Sequence, residues 1–243
     1  MSFYRQAAAH RQNQARQKRL AGIAIVAGLS LLVVAVFVFQ SLAAAPNPEG
    51  ALVTAEAAAY PQANGKAMGP ADAPVVVQEF ADFQCPYCGL FHEQIQGQIV
   101  DQYLANGDGR VRYEYHHFIV IDGNVGGVES RHAAIASECA NEQGGFWQFQ
   151  ALLFANQAGE GQGAFNDSRL AQLATSAGLN QQAFASCFTS TAAANAVIAD
   201  EQLARQYGLN STPTLLVNGQ KVANPLDFKQ VTALIDAALT ATE

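Results

Sequence analysis

Acidic residues are missing from the first 48 positions of this 243-residue chain, and basic ones are scarce in the rest. The opening segment holds Arg5, Arg11, Arg16, Lys18 and Arg19. Beyond it, eight Lys and Arg face all twenty Asp and Glu, so the remainder is strongly anionic. A surface so poor in cations cannot neutralise a phosphate backbone, which excludes nucleic acid as a partner. Charge of either sign is thin, 14% against 50% hydrophobic residues, and part of the apolar excess is one continuous run rather than core. No internal repeat is visible, and no low-complexity segment beyond an alanine bias. Cysteine occurs four times, in two unlike pairs.

The apolar run is Leu20 to Leu42, 23 residues without an ionisable group. As a helix rising about 1.5 Å per residue it reaches roughly 35 Å, enough for a bilayer core of about 30 Å. Every cation of the opening segment precedes it. The positive-inside rule therefore makes residues 1–19 a cytoplasmic basic tail, 20–42 a single transmembrane anchor, and everything beyond extracytoplasmic. The competing reading is a cleaved signal peptide, for which Ser41, Ala43 and Ala44 supply small residues. Against it, the run exceeds the core of about 7 to 15 residues usual there, and Pro46 is badly placed for cleavage after Ala45. Both readings export the body. Residues 43–67, rich in Ala, Pro, Gly and Asn and without an apolar period, read as a flexible tether.

In the body, 68–243, Val75 to Phe80 is a β-branched run suited to a buried strand. Phe91, Ile95, Ile99 and Tyr103 recur at spacings of four on a following helix, and a second strand runs from Arg110 to Phe118. Helical patterns then fill about 127–207: Val128 to Glu142, Phe146 to Asn156, Ser168 to Ala177, Gln181 to Phe188 and Ala192 to Tyr207. Asp167 is expected to cap, and Gly178 and Gly208 to end, helices among these. Thr214 to Val217, Asn218-Gly219 and Gln220 to Val222 form a hairpin, and Leu226 to Leu239 a last amphipathic helix. The fold class is α/β.

Cys85 and Cys88 stand at the strand-to-helix junction. There the first cysteine meets the unpaired N–H groups and positive end of the helix, which favours its thiolate. Pro86 suits the first helical turn, and Cys88 lies placed to attack a mixed disulfide formed by Cys85. The spacing alone also admits a structural disulfide or half of a metal site. No second pair at zinc spacing stands nearby, so the metal reading narrows to copper held by both thiolates and a histidine, with His92, His116 and His117 as candidates.

The segment from Ala73 to Cys88, with Glu79 inside it, resembles the active-site segment of the DsbA-like thiol:disulfide oxidoreductases. Glu142 to Trp147, and Gly208 to Gly219 with Thr212-Pro213-Thr214, resemble further parts of that family over roughly Met68 to the C-terminus. The resemblance implies a thioredoxin-like fold with an inserted all-helical domain, here preceded by a single N-terminal transmembrane helix. Cys85 is then the exposed nucleophile and Cys88 its buried partner, with Pro86 and Tyr87 beside them at the substrate. Pro213 is a cis-proline facing the pair, and the Thr212 backbone pairs with extended substrate. Glu79 becomes a buried acid serving the inner cysteine, provided the strand phase turns it inward rather than to the surface. Asp82 is read as an ordinary loop residue. The strongest oxidases carry a histidine cation where this chain has Tyr87, which implies a milder oxidant.

Cys139 and Cys187 sit on Ala-rich faces of two insert helices. Export and the even count favour a structural disulfide, although free buried cysteines are ordinary small core residues. Phe146, Trp147, Phe149 and Phe154 either line a groove or, more commonly at helical spacing, form core. The expected activity is oxidation of thiols in unfolded or reduced exported proteins by a Cys85-Cys88 disulfide, without a further cofactor or resident metal. The family implies a quinone-linked membrane thiol oxidase as regenerating partner. A monomer is expected, no dimerisation segment being apparent. A disulfide reductase or isomerase is the alternative within this chemistry, and a copper-binding chaperone using Cys85, Cys88 and a histidine the alternative outside it.

Overall fold

The structure, a computed structural model, describes residues 50–55, 58 and 60–242. The basic tail at 1–19, the anchor at 20–42 and residues 43–49 of the tether lie outside the described residues. Among those described, no helix is long and apolar enough to cross a membrane.

Strand β2 (Val75–Ala81) is the spine of the sheet. It pairs in parallel with β3 (Val111–His117), Val75 opposite Val111, and antiparallel with β4 (Thr214–Val217), Glu79 opposite Leu215. A short β1 (Ala67–Met68) joins β3, and β5 (Gln220–Lys221) joins β4, giving the order β1-β3-β2-β4-β5. The β4–β5 turn is Asn218-Gly219 with φ of 47° and 81°, the positive values a tight hairpin needs. Strand β1 is too short for any period to reveal. The Gly69 that follows it has φ 83°, and a Cβ there would meet the Val111 carbonyl at 2.4 Å; only glycine lets the chain pass so close.

Helix α1 links β2 to β3 as a continuous rod over 86–105. It is α-helical at Pro86–Phe91 and Gly97–Ile99 and opens into wider π turns at His92–Gln96 and Val100–Ala105. A repeat of four drifts around a helix of about 3.6 residues per turn, and the wider turns cancel that drift. Phe91, Ile95, Ile99 and Tyr103 are accordingly all buried.

The helical insert begins directly after β3, earlier than position 127, with α2 (Ile121–Val125). Then come α3 (Glu129–Glu142), α4 (Phe146–Ala155), α5 (Asp167–Ser176), α6 (Gln181–Phe188) and α7 (Thr191–Gln206). The N-cap of α5 is Asn166, whose side chain accepts from the Arg169 N–H, and not Asp167; both residue types cap well, so composition alone did not place the turn. Ala133, Ala136, Cys139 and Ala140 bury the inner face of α3, small enough for neighbouring helices to approach. Phe146, Trp147, Phe149 and Phe154 are core rather than groove wall. Helix α8 (Phe228–Thr240) buries Val231 and Ile235.

A largely buried ionic cluster fastens the insert to the sheet. The Lys66 ammonium lies between Asp200 of α7 and Glu138 of α3, 2.5 Å from the latter. His116 Nδ1 is 3.0 Å from Asp200 Oδ1, and His117 Nε2 is 3.1 Å from Glu138 Oε1. Pairing holds Glu138 down to about 2 against its burial, so this carboxylate stays charged.

From Gly50 onward the expected tether is docked rather than free. Asn156 accepts from the Val53 N–H at 2.9 Å and donates to the Val53 carbonyl at 2.8 Å. Arg169 donates to the Gly50 carbonyl at 3.1 Å, and the Tyr60 hydroxyl to the Trp147 carbonyl at 3.2 Å. These partners lie far along the chain, where no local pattern reveals them.

Cys139 and Cys187 are joined, their Cα atoms 5.6 Å apart across a separation of 48 residues. Closing a loop of that length stabilises by about 4 kcal/mol in the chain-entropy account. Replacing both by alanine is expected to lower the unfolding free energy from urea titration by a large part of that amount while leaving the rate of thiol exchange at Cys85 unchanged. Loss of exchange in a protein that still unfolds cooperatively would assign these cysteines to the reaction.

Candidate redox-active site

The loop from Asp82 to Gln84 turns the chain from β2 into α1 because its polar groups are met inside the protein. Asp82, expected as an ordinary loop residue, is fully buried. Its carboxylate accepts from the N–H groups of Gln84, Val120 and Ile121, each at 2.9 Å, and so ties the turn to the start of α2. Gln84 Nε2 donates to Asp122 at 3.0 Å and to Ser130 at 2.8 Å. Neither role carried a sequence signal beyond polarity next to a cysteine.

Cys85 is the N-cap of α1, extended at φ −70° and ψ 120°, with Pro86 in the first helical turn. Its carbonyl accepts from the N–H groups of Cys88 at 3.1 Å and Gly89 at 3.2 Å. The sulfur was expected to be exposed. The residue is 4% exposed, and its Sγ donates to the Thr212 carbonyl at 3.4 Å. Both cysteines are in the dithiol form here. A hydrogen bond from Cys88 is the largest effect holding the Cys85 thiol down to about 6, against burial and with help from the Thr212 side chain and the N–H groups of Cys88 and Tyr87. Cys88, fully buried, is pushed well above the ordinary range by burial and by the neighbouring Cys85. The two thiols are thus separated in acidity, as a nucleophile and an inner leaving group require.

Glu79 points inward, with no exposed surface, and accepts from the Tyr113 hydroxyl at 2.5 Å. Burial raises its pKa to about 8, opposed by that hydrogen bond and by the charge of His116. Its Oε1 has no protein partner. At neutral pH the acid therefore holds a proton within the electrostatic reach of Cys88.

The Thr212-Pro213 bond is cis. Pro86 and Tyr87 are exposed on α1, Tyr87 to 61%. Cys139 and Cys187 lie in the insert, away from this constellation in role. The histidines weighed as copper ligands are engaged otherwise, His92 with Gln96, His116 with Asp200 and His117 with Glu138. Among the described residues, the group of ligand atoms close enough to share a cation is His117, Glu138 and Asp200. It contains no cysteine, and the Lys66 ammonium already neutralises its carboxylates.

Residues 62–237 match the family model described as Thioredoxin. The chain is 27% identical over 175 residues to Disulfide bond formation protein D of Bacillus subtilis, covering 71% of this chain and 76% of that protein. It is 31% identical over 173 residues to Na(+)/H(+) antiporter NhaA 3 of Salinispora tropica, covering 71% of this chain but 24% of that protein. The chain thus spans about a quarter of the length of the antiporter relatives it matches. Oxidised BdbD from Bacillus subtilis superposes with a TM-score of 0.65 at 26% identity, over 77% of this chain and all of that one. A thioredoxin-like oxidoreductase from Silicibacter pomeroyi superposes with a TM-score of 0.60 at 25% identity, over 73% of this chain and 93% of that one.

Thiolate absorbance of the reduced protein is expected to show one step near pH 6 that Cys85→Ser removes. A step that survives this change would move the nucleophile elsewhere. In the oxidised protein no thiolate contributes. The Glu79 carboxyl ionises at about 4.5 when unfolded and about 8 when folded, so the stability that Glu79 contributes is full below pH 4.5 and declines as pH rises to 8. Glu79→Gln is expected to flatten that decline in urea titrations; an identical slope in the variant would refute a protonated Glu79.

Proposed function

This chain belongs to the thioredoxin family, as a DsbA-like member, and from that premise we propose that it is a dithiol oxidase introducing disulfide bonds into exported proteins. The observation that carries the reading is the asymmetry of the pair. One thiol is acidified at a helix head beneath an exposed rim, and the other is sealed beside a protonated acid.

The reaction starts from the Cys85-Cys88 disulfide. A substrate thiolate attacks Cys85 Sγ, the disulfide breaks, and Cys88 leaves with the electron pair. Glu79 supplies the proton that this buried sulfur needs, since burial makes a free Cys88 thiolate costly. A second substrate thiolate then attacks the substrate sulfur of the mixed disulfide. Cys85 departs as the thiolate that the helix head stabilises, so the substrate is oxidised by two electrons and the Cys85-Cys88 pair reduced by two. Tyr87 and Leu90 on α1, with Val125 and Val128 on the connection that Asp122 ties to Gln84, are exposed apolar side chains suited to unfolded segments. The Thr212 backbone beside the sulfur supplies an edge for an extended chain.

Residues 20–42 serve in this reading as a single-pass anchor that holds the body outside the cytoplasm. A membrane thiol oxidase that passes the two electrons to a quinone regenerates the disulfide in the same plane. A milder oxidant, reaching into reductase or isomerase chemistry, is favoured by Tyr87, which brings no cation to the thiolate.

Oxidised protein mixed with a reduced, unfolded test protein is expected to transfer one disulfide per molecule. Cys85→Ser and Cys88→Ser each abolish transfer, since neither variant can form the Cys85-Cys88 disulfide from which the reaction starts. Glu79→Gln slows release of Cys88 roughly tenfold or more at pH 7. Absence of disulfide transfer from fully oxidised wild-type protein would overturn the function.

A further inference from the structure

Gln157 lies in the loop after α4, 72 residues from the redox cysteine, yet its side chain ends on the redox turn. Nε2 donates to the Phe83 carbonyl at 2.7 Å and to the Cys85 carbonyl at 3.0 Å. These two carbonyls flank the turn that carries the nucleophile. Pro86 has no N–H, so the Cys85-Pro86 peptide is held into the helix start through its carbonyl side alone. The Cys85 carbonyl thereby has three donors, the N–H groups of Cys88 and Gly89 and the Gln157 amide.

The clamp is itself anchored. Its neighbour Asn156 is buried and engages both backbone groups of Val53, at 2.9 and 2.8 Å, and also donates to the Leu152 carbonyl at 2.8 Å. The docked segment beginning at Gly50 therefore locks the end of α4, and with it the reach of the next side chain. On the other side Gly89 leaves the space the amide occupies, since a Cβ there would stand 2.3 Å from Gln157 Oε1. A glycine inside the second turn of a helix costs about 1 kcal/mol relative to alanine, and accommodating this amide is a physical reason for it.

We propose that Gln157 is a positioning residue of the redox centre, fixing the Cys85-Pro86 peptide so that the Cys85 sulfur stays at the head of α1. The inference rests on the oxidoreductase reading above. Without the amide, the Phe83 carbonyl loses its side-chain donor and the Cys85 carbonyl one of its three, and the peptide holds the sulfur less firmly at the helix head. Both effects disfavour the thiolate and hence the reduced form.

Two full-length variants test this from opposite sides. Gln157→Met keeps volume and removes the donor. Gly89→Ala leaves Gln157 and both cysteines in place but drives the amide away, while improving the intrinsic helix propensity of α1. Each is expected to raise the Cys85 thiolate midpoint by about one unit, which at pH 7 makes the pair about fivefold less oxidising against glutathione. A purely structural role would not combine that shift with unchanged or higher thermal stability in Gly89→Ala. Midpoints equal to wild type in both variants would overturn the role of Gln157. Failure of the wild-type pair to exchange with glutathione would overturn the proposed function instead, and the absorbance midpoint reads the Gln157 effect in either case.

Discussion

The unpaired N–H groups at the start of α1 need acceptors, and the chain meets that need with a cysteine. Its carbonyl closes the first hydrogen bonds of the helix, and its sulfur faces the positive end that the remaining donors create. Much of the surrounding structure keeps this junction in place. β2 brings the turn to the C-terminal end of the sheet, Asp82 gathers the N–H groups of Gln84, Val120 and Ile121 around it, and the Thr212 loop closes from the far edge.

Acidity is then divided by depth. Cys85, buried but supplied with hydrogen-bond donors, keeps a negative charge at lower cost. One turn inward Cys88 is fully buried, within the electrostatic reach of Glu79, Tyr113 and Tyr115, where charge is costly. Burial also holds Glu79 protonated at neutral pH, within the electrostatic reach of Cys88, and the proposed release of that sulfur draws on its proton. The stability lost as pH rises through the Glu79 range is the counterpart of that burial.

The insert stabilises this arrangement from a distance. Its helices are closed on one another by Cys139–Cys187 and bound to the sheet by Lys66, Glu138, Asp200 and the two histidines of β3. Gln157 and Gln84 reach from or to the insert directly into the redox turn. The segment from Gly50 is docked on Asn156 in the same part of the insert.

The elements with their own period or punctuation were legible in the sequence: the strands at Val75 and Val111, the stripe on α1, the insert helices to within a few residues, the Asn218-Gly219 hairpin and the Cys85-Cys88 junction. Each depends on interactions between residues near in the chain, which local pattern records. The cover over Cys85, the inward face of Glu79, the burial of Asp82, the docking of residues from Gly50, the two-residue β1 and the Gln157 clamp were decided by tertiary structure. Their partners lie tens to more than a hundred residues away, and a polar side chain looks the same in sequence whether water or a distant carbonyl satisfies it.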